Sequence, residues 1–311
     1  MRLVRDLVRV QVPATSANLG PGFDTFGLAL ALHDTVEVRA TAGTTRVEVT
    51  GEGAGEVPDG EDHLVVRAVR AGLEEAGAPQ AGLELRCHNA IPHGRGLGSS
   101  AAAVVAGLIA ARGLISDPDA LSDDVVLRLA AEWEGHPDNA AAALLGGATL
   151  AWTTGRPGTD EAAGVGAVRL DLAPGLTPTV LVPGARLLTS AARAVLPPRV
   201  AHADAVFNAA RTALLVVALG GRHDLLMTAT QDRLHQPFRG EVMAPTLDLV
   251  ARLRADDHPA AVSGAGPSVL VLGEVPDDAA RRAEVSGWQC LPLAVDDAGA
   301  FASDADGSVV G

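Results

Sequence analysis

The chain has 311 residues, 48% of them apolar and 20% charged, and 24 basic against 38 acidic side chains give a formal net charge of −14. That length suits one large or two intimately packed domains, and the apolar share is enough to bury a sizeable core. The acidic balance disfavours nucleic acid or an anionic membrane as the main partner, because both demand basic surface to displace counterions.

In chain order, residues 8–12 alternate apolar and polar and predict a strand ending at Pro13. Residues 35–40 and 45–50 predict a hairpin pair bounded by glycine-containing turns. Asp62 is placed to cap a helix running to about Ala76, with Leu64, Val65, Ala68, Val69 and Leu73 at helical spacing. Residues 82–89 predict a strand, and a glycine-rich loop leads from it into a helix over 99–112 that is apolar nearly all round and hence central. A helix over 122–134 and a strand over 146–152 follow. Residues 154–166, rich in Gly, Thr and Pro, are the best boundary, which divides the chain into 1–155 and 156–311. The second half predicts strands at 167–172, 178–182, 260–263, 268–272 and 289–295. Its predicted helices lie at 190–196, 200–219, 223–232, 245–255 and 277–285. Strands and helices alternate irregularly, which favours α+β sheets with helices on one face over a doubly wound sheet.

All 24 basic residues are arginine; the sequence contains no lysine. Schiff-base chemistry, a pyridoxal phosphate lysine and a lysine-bearing P-loop are therefore excluded. A phosphate site must rest on backbone N–H groups, helix termini, arginine and metal. Cys87 and Cys290 lie far apart in apolar runs and read as buried small hydrophobes in a reducing compartment. The first residues show no signal-peptide apolar region. No uninterrupted apolar stretch reaches membrane-spanning length, 101–111 and 212–219 being too short. The expectation is a cytoplasmic enzyme.

Residues 82–107 carry the most chemistry: a strand, then IPHGRGLG, then SSAAAVVAG. Gly94, Gly96 and Gly98 at alternate positions let the backbone approach a bulky anion and adopt positive φ. A helix beginning at Ser99 turns its free N–H groups and the positive end of its dipole into that space. Ser99 and Ser100 add hydroxyls at the cap and first turn, where one can ligate Mg²⁺. A dinucleotide fingerprint fits poorly, because the third glycine comes one residue early.

Three blocks occur in order: VPATSANLGPGFDTFGLAL at 12–30, the loop PHGRGLGSS at 92–100, and VSGAGPSVL at 262–270. Together they resemble the three motifs of the GHMP kinases, and the wording of the first block resembles the homoserine kinase branch of that family. The resemblance runs from about residue 10 to residue 300. It implies an α+β GHMP-kinase fold, with a ribosomal-protein-S5-like N-terminal domain, a ferredoxin-like C-terminal domain and the active site between them. It also implies transfer of the ATP γ-phosphoryl group to the side-chain hydroxyl of L-homoserine, and it allows a homodimer.

The site residues follow from the resemblance. ATP is expected along Pro92, His93, Gly94, Arg95, Gly96, Leu97, Gly98, Ser99, Ser100, Ala101 and Ala102. Mg²⁺ is expected on Ser100 and Glu134. The segment EWEGHPDN at 132–139 resembles the family segment whose acid precedes the glycine, which selects Glu134; Glu132 points nearly the other way on a helix. Pro137 suits the start of a new helix, placing Asp138 and Asn139 in its first turn. Asn18, Asp24, His136, Asp138, Thr189, Arg193 and Arg239 are expected to fix the amino acid, and Asn18, Asp24, Asp138 and Asn139 to surround the reacting groups. Guanidinium forks suit a carboxylate, and acids suit an ammonium. Gln236 stands where the family commonly has an acid, so a charge contact is expected to be missing. Asp232 and Arg233 read as helix-surface residues. A GHMP kinase for another alcohol and a catalytically silent homologue remain the alternatives.

Overall fold

The computed structural model describes residues 1–154 and 164–310. The expected boundary between residues 155 and 156 lies outside the described residues. On either side of it stand two antiparallel neighbours, β5 (Ala148–Thr154) and β6 (Gly164–Leu170), in one sheet. That sheet also holds β1 (Leu7–Ala17), β2 (Phe26–Thr41), β3 (Arg46–Gly51) and β4 (Gly82–Asn89). Two short strands near the C-terminus, β11 (Phe301–Ser303) and β12 (Val309–Val310), return to it beside β1. The second sheet is antiparallel, ordered β10-β7-β9-β8: β7 (Thr179–Pro183), β8 (Ala260–Val262), β9 (Val269–Val271) and β10 (Trp288–Pro292).

The predicted hairpin over 35–50 is not formed. β4 inserts between β2 and β3, pairing antiparallel with β2 and parallel with β3. The reason is burial: Leu83, Leu85 and Cys87 of β4 are buried, whereas no residue of β3 is, so β4 takes the inner position and β3 the edge. The link from β3 to β4 is a crossover through α1 (Leu64–Glu75), as a parallel pair requires. Asp62 does not cap α1. It ends a short 3-10 turn, and His63 occupies the cap position with extended backbone.

β1 pairs with β2 along the whole length of β1, with a register shift between Pro13 and Ala14. A proline has no N–H to give the ladder, so it sits where pairing is already broken. The shift lets β2 pair with β4 over Thr35–Thr41 and with β5 over Phe26–Leu28.

The apolar helix is α2 (Ser99–Leu114), and twelve of its sixteen residues are buried, as its all-round apolar surface predicts. It packs between α1, β1 and α3 (Asp123–Glu134). Its approach to α1 is very close: a Cβ at Gly107 would stand 2.6 Å from the Val65 carbonyl oxygen and 2.5 Å from the Ala68 Cβ. α4 (Asp138–Leu145) packs on β1, β2 and β5. The remaining helices are α5 (Thr189–Ala194), α6 (His202–Leu219), α7 (Leu226–Ala229), α8 (Gly240–Ala255) and α9 (Asp277–Val285). The last two pack on the second sheet. At 18 residues α6 reaches the length and mean hydropathy of a membrane span, which the shorter run at 212–219 did not foretell. Its Asn208 is buried and donates to the Pro21 carbonyl and to Asp232 within the fold.

Candidate active site

The three sequence blocks meet at the N-terminus of α2. Gly94, Gly96 and Gly98 all take positive φ, at 64°, 73° and 69°. At two of them the crowding also requires glycine. A Cβ on Gly96 would lie 2.3 Å from the Ser263 carbonyl oxygen, and one on Gly98 would lie 1.9 Å from the Thr15 hydroxyl. The first block braces the loop through Thr15, whose N–H donates to the Leu97 carbonyl at 3.1 Å. The third block braces it through Ser263, whose hydroxyl donates to the Gly96 carbonyl at 2.7 Å and lies 2.8 Å from that of Ser16. The Ser268 N–H reaches the Arg95 carbonyl.

Gly98, in the left-handed conformation, takes the cap position that Ser99 was expected to fill, and no side chain caps α2. The opening N–H groups of the helix therefore keep their donor capacity and the positive end of its dipole. They face a cavity of about 240 Å³ lined by Gly94, Gly96, Gly98, Ser99 and Ser100 on one side. Across from them, Ser100 donates its hydroxyl to Glu134 at 2.6 Å. Glu132, two residues earlier, pairs with Arg128 on the opposite side of α3. Ser100 and Glu134 are hard oxygen donors beside the glycine-rich loop, a donor set that fits magnesium.

The next side of the cavity is α4 and the residues before it. Pro137 caps this helix and Asp138 opens it. The buried Asp138 carboxylate accepts from the Asn139 N–H at 2.8 Å and from His136 Nδ1 at 2.8 Å. Burial opposes charge on His136, but the Asp138 hydrogen bond and charge outweigh it, and the imidazole pKa is raised. Asn139 Oδ1 accepts from Thr15 at 2.8 Å, which fixes its amide over the loop.

The far end is cationic. Arg239, 1% exposed, donates through Nη1 to the Gly264 carbonyl at 2.9 Å, and its buried Nε has no partner among the described residues. Burial lowers its pKa to about 10, so it stays charged at neutral pH. Arg193 reaches Asp24 through two bonds, Nη1 to Oδ2 at 3.1 Å and Nη2 to Oδ1 at 2.5 Å. Asn18 donates to the Gly264 carbonyl at 2.8 Å and accepts from the Asp24 N–H at 3.0 Å. Asn18 and Asp24 both have positive φ, at 72° and 56°, so the loop between β1 and β2 is held in a strained shape.

A second cavity of about 300 Å³ adjoins the first through Ser99 and Ser100, and apolar side chains including Val12, Val36, Val57, Leu64 and Val65 line much of it. Besides the two serines, Asp34, His63, Asn89 and His93 are its polar members.

Residues 63–147 match the family described as GHMP kinases N terminal domain. Homoserine kinase of Streptomyces avermitilis is 49% identical over 295 residues, covering 94% of each chain. Homoserine kinase of Mycobacterium tuberculosis is 49% identical over 292 residues, covering 92% of each. The chain belongs to the homoserine kinase family. The crystal structure of homoserine kinase from Cytophaga hutchinsonii overlays it with a TM-score of 0.79 at 27% identity, over 96% of this chain and 98% of that one. The α+β architecture is thus the GHMP kinase fold, as expected.

Seen as a member of this family, the chain gathers most of its expected site residues around one cavity. Asn18, Gly94, Gly96, Gly98, Ser99, Ser100, Glu134, His136, Asp138, Asn139, Thr189, Arg193 and Arg239 all line it. Asp24 is not among the lining residues, but its carboxylate bonds Arg193 and lies within 4.8 Å of ligand atoms of His136 and Asp138. Others of the loop do not face it. Leu97, Ala101 and Ala102 are buried in the core, His93 lines the second cavity, and Pro92 is buried. Arg95 donates to the carbonyls of His93, Pro183 and Gly184, which turns its charge away from the cavity.

One expectation near Arg239 needs correction. Asp232 is not on a helix surface: it lies in a loop with its carboxylate fully buried, accepting from Asn208 and from the N–H groups of Leu234, His235 and Gln236. Gln236 makes a neutral contact where an acid was missed, its Oε1 accepting from the Val262 N–H at 2.7 Å. Sequence reasoning also missed Thr15, Ser16 and Ser263, which brace the loop although they lie inside the quoted blocks. It missed the second cavity as well, whose lining residues come from five separate stretches with no shared spacing.

Proposed function

We propose that this chain transfers the γ-phosphoryl group of ATP to the side-chain hydroxyl of L-homoserine. The observation that carries the reading is the layout of one cavity, with uncapped helix N–H groups at one end and a buried arginine at the other. Phosphates suit the first and an amino acid carboxylate the second. Arg239 lacks a carboxylate partner among the described residues and has an unpaired Nε, so it offers a desolvated fork. Arg193 and Thr189 flank it. Asp24, Asp138 and Asn18 supply acceptors for an ammonium and a hydroxyl.

The apolar second cavity suits the nucleoside base, joined to the phosphate loop through Ser99 and Ser100. Ser100 and Glu134 would hold magnesium, which neutralises charge on the transferring phosphates. Asn139, pinned by Thr15 and by the Asp138 carboxylate, faces the space between the loop and the amino acid end. Catalysis here is alignment and charge balance rather than strong-base chemistry. The same reading divides the chain near residues 155 and 156 into a nucleotide-binding half and a half that supplies Thr189, Arg193 and Arg239.

The test is a coupled assay for ADP release across L-homoserine, L-threonine, mevalonate and shikimate, with Arg239→Ala alongside. Homoserine-dependent turnover is expected, and Arg239→Ala should raise KM for homoserine at least tenfold, well above its effect on KM for ATP. Turnover on another alcohol without turnover on homoserine would reject the reading. Equal effects on both KM values would remove Arg239 from the carboxylate end.

A further inference from the structure

His235 does not line the cavity, yet it joins the two arms that form the amino acid end. Its ring is fully buried, and Nε2 lies 2.7 Å from the Gly20 carbonyl oxygen, so this nitrogen carries the hydrogen and donates. Nδ1 has no partner among the described residues. The ring stacks on Phe23, with centroids 5.0 Å apart and planes at 26°. Gly20 and Phe23 both belong to the strained loop that carries Asn18 and Asp24. Phe23 in turn lies beneath two guanidiniums, Arg193 at 5.3 Å and Arg239 at 6.0 Å.

The other end of His235 is anchored by Asp232. That carboxylate accepts the His235 and Gln236 N–H groups and stands 3.5 Å from the His235 ring. It thereby shapes the 3-10 turn Gln236–Arg239 that delivers Arg239. The arms also touch through backbone: a Cβ on Gly20 would lie 2.4 Å from the Thr230 carbonyl oxygen, so the approach tolerates only glycine.

We infer that His235, held by Asp232, is a positioning residue that sets the spacing between the Asn18–Asp24 loop and Arg239, and so governs affinity for the amino acid and not for the nucleotide. The inference rests on the homoserine reading above. His235 touches no reacting group. It acts through the Gly20 carbonyl and the Phe23 ring, and the phosphate loop lies on the other side of the cavity, braced by Thr15 and Ser263 instead. Burial lowers the His235 pKa, which keeps the ring neutral and its tautomer fixed by Gly20.

His235→Leu removes the donor, whereas His235→Gln keeps one where Nε2 stands. Steady-state kinetics should show KM for homoserine rising about tenfold in His235→Leu, with KM for ATP within twofold of the parent, and substantial recovery in His235→Gln. Combined with Asn18→Ala, the effect of His235→Leu on KM for homoserine should be less than multiplicative, because both act through one loop. Should His235→Leu fail to fold, Asp232→Asn is expected to give the same one-sided rise. Equal changes in both KM values, no recovery in His235→Gln, or a multiplicative double variant would each overturn the inference. The parent enzyme is assayed first: absent homoserine turnover overturns the functional reading itself, whereas normal turnover with unmoved KM values in the variants overturns only this inference.

Discussion

Asp34 lines the second cavity and ties it to the glycine-rich loop. Its Oδ1 accepts the N–H groups of Ala90 and Ile91, at 2.7 and 2.9 Å, just before the loop begins. Burial outweighs these bonds and pushes its carboxyl up from 3.8 to about 6. The unfolded chain gives up this proton near the lower value, while the folded chain keeps it to the higher one. Between them the folded state binds more protons, so raising pH through that window removes stability, by at most about 3 kcal/mol. Asp34→Asn keeps an acceptor oxygen and removes the titration. Urea unfolding should show the parent losing stability relative to this variant between pH 4 and 7; parallel pH profiles would show that Asp34 titrates as it does in the unfolded chain. At this scale the sequence was most legible where residues belong to a contiguous motif, such as Asn18, Gly98, Ser100 and Asp138. Asp232 was misread because its role comes from four donors that only the folded loop brings together.

Among the elements, the pair α1 and α2 shows what spacing can and cannot tell. The absence of a polar stripe on α2 foretold its burial. Nothing in the pattern showed that Gly107 would sit against the Val65 carbonyl, because that contact depends on where the helices cross. Gly107→Ala should raise helix propensity yet force the helices apart, for a net loss of about 1–3 kcal/mol. Thermal or urea unfolding would reveal it, and a stabilised variant would contradict the close crossing. The misplaced β3 teaches a related lesson. Turn residues between two strands suggest a hairpin, but the deciding quantity was which strand had more apolar surface to hide, and that went to β4.

Across the whole molecule, the kinase architecture was legible because three motifs distant in sequence imply one meeting point. The closing of the first sheet by β11 and β12 was not. Strands of three and two residues carry no alternation that can be read, and their place is set by the free edge of β1. Removing residues 300–311 should bare that edge beside the first motif. The expected outcome is a lower melting temperature and aggregation on heating, followed by light scattering; a truncated chain as stable and monodisperse as the parent would show that β1 tolerates an open edge.

The Arg193–Asp24 pair has a consequence for selectivity. A guanidinium and a carboxylate locked together are the mirror of an amino acid's own carboxylate and ammonium. A zwitterion entering between them exchanges one ionic pairing for two, leaving no charge stranded. A simple alcohol can do neither half of that trade, and a molecule with only one of the two charges would separate the pair and satisfy half of it. If the chain takes homoserine as proposed, the pair would act as a stoichiometric filter, making entry costly unless the guest brings both signs at the right separation. Discrimination of this kind would come from leaving half-buried charge unpaired around wrong guests rather than from binding the right one tightly.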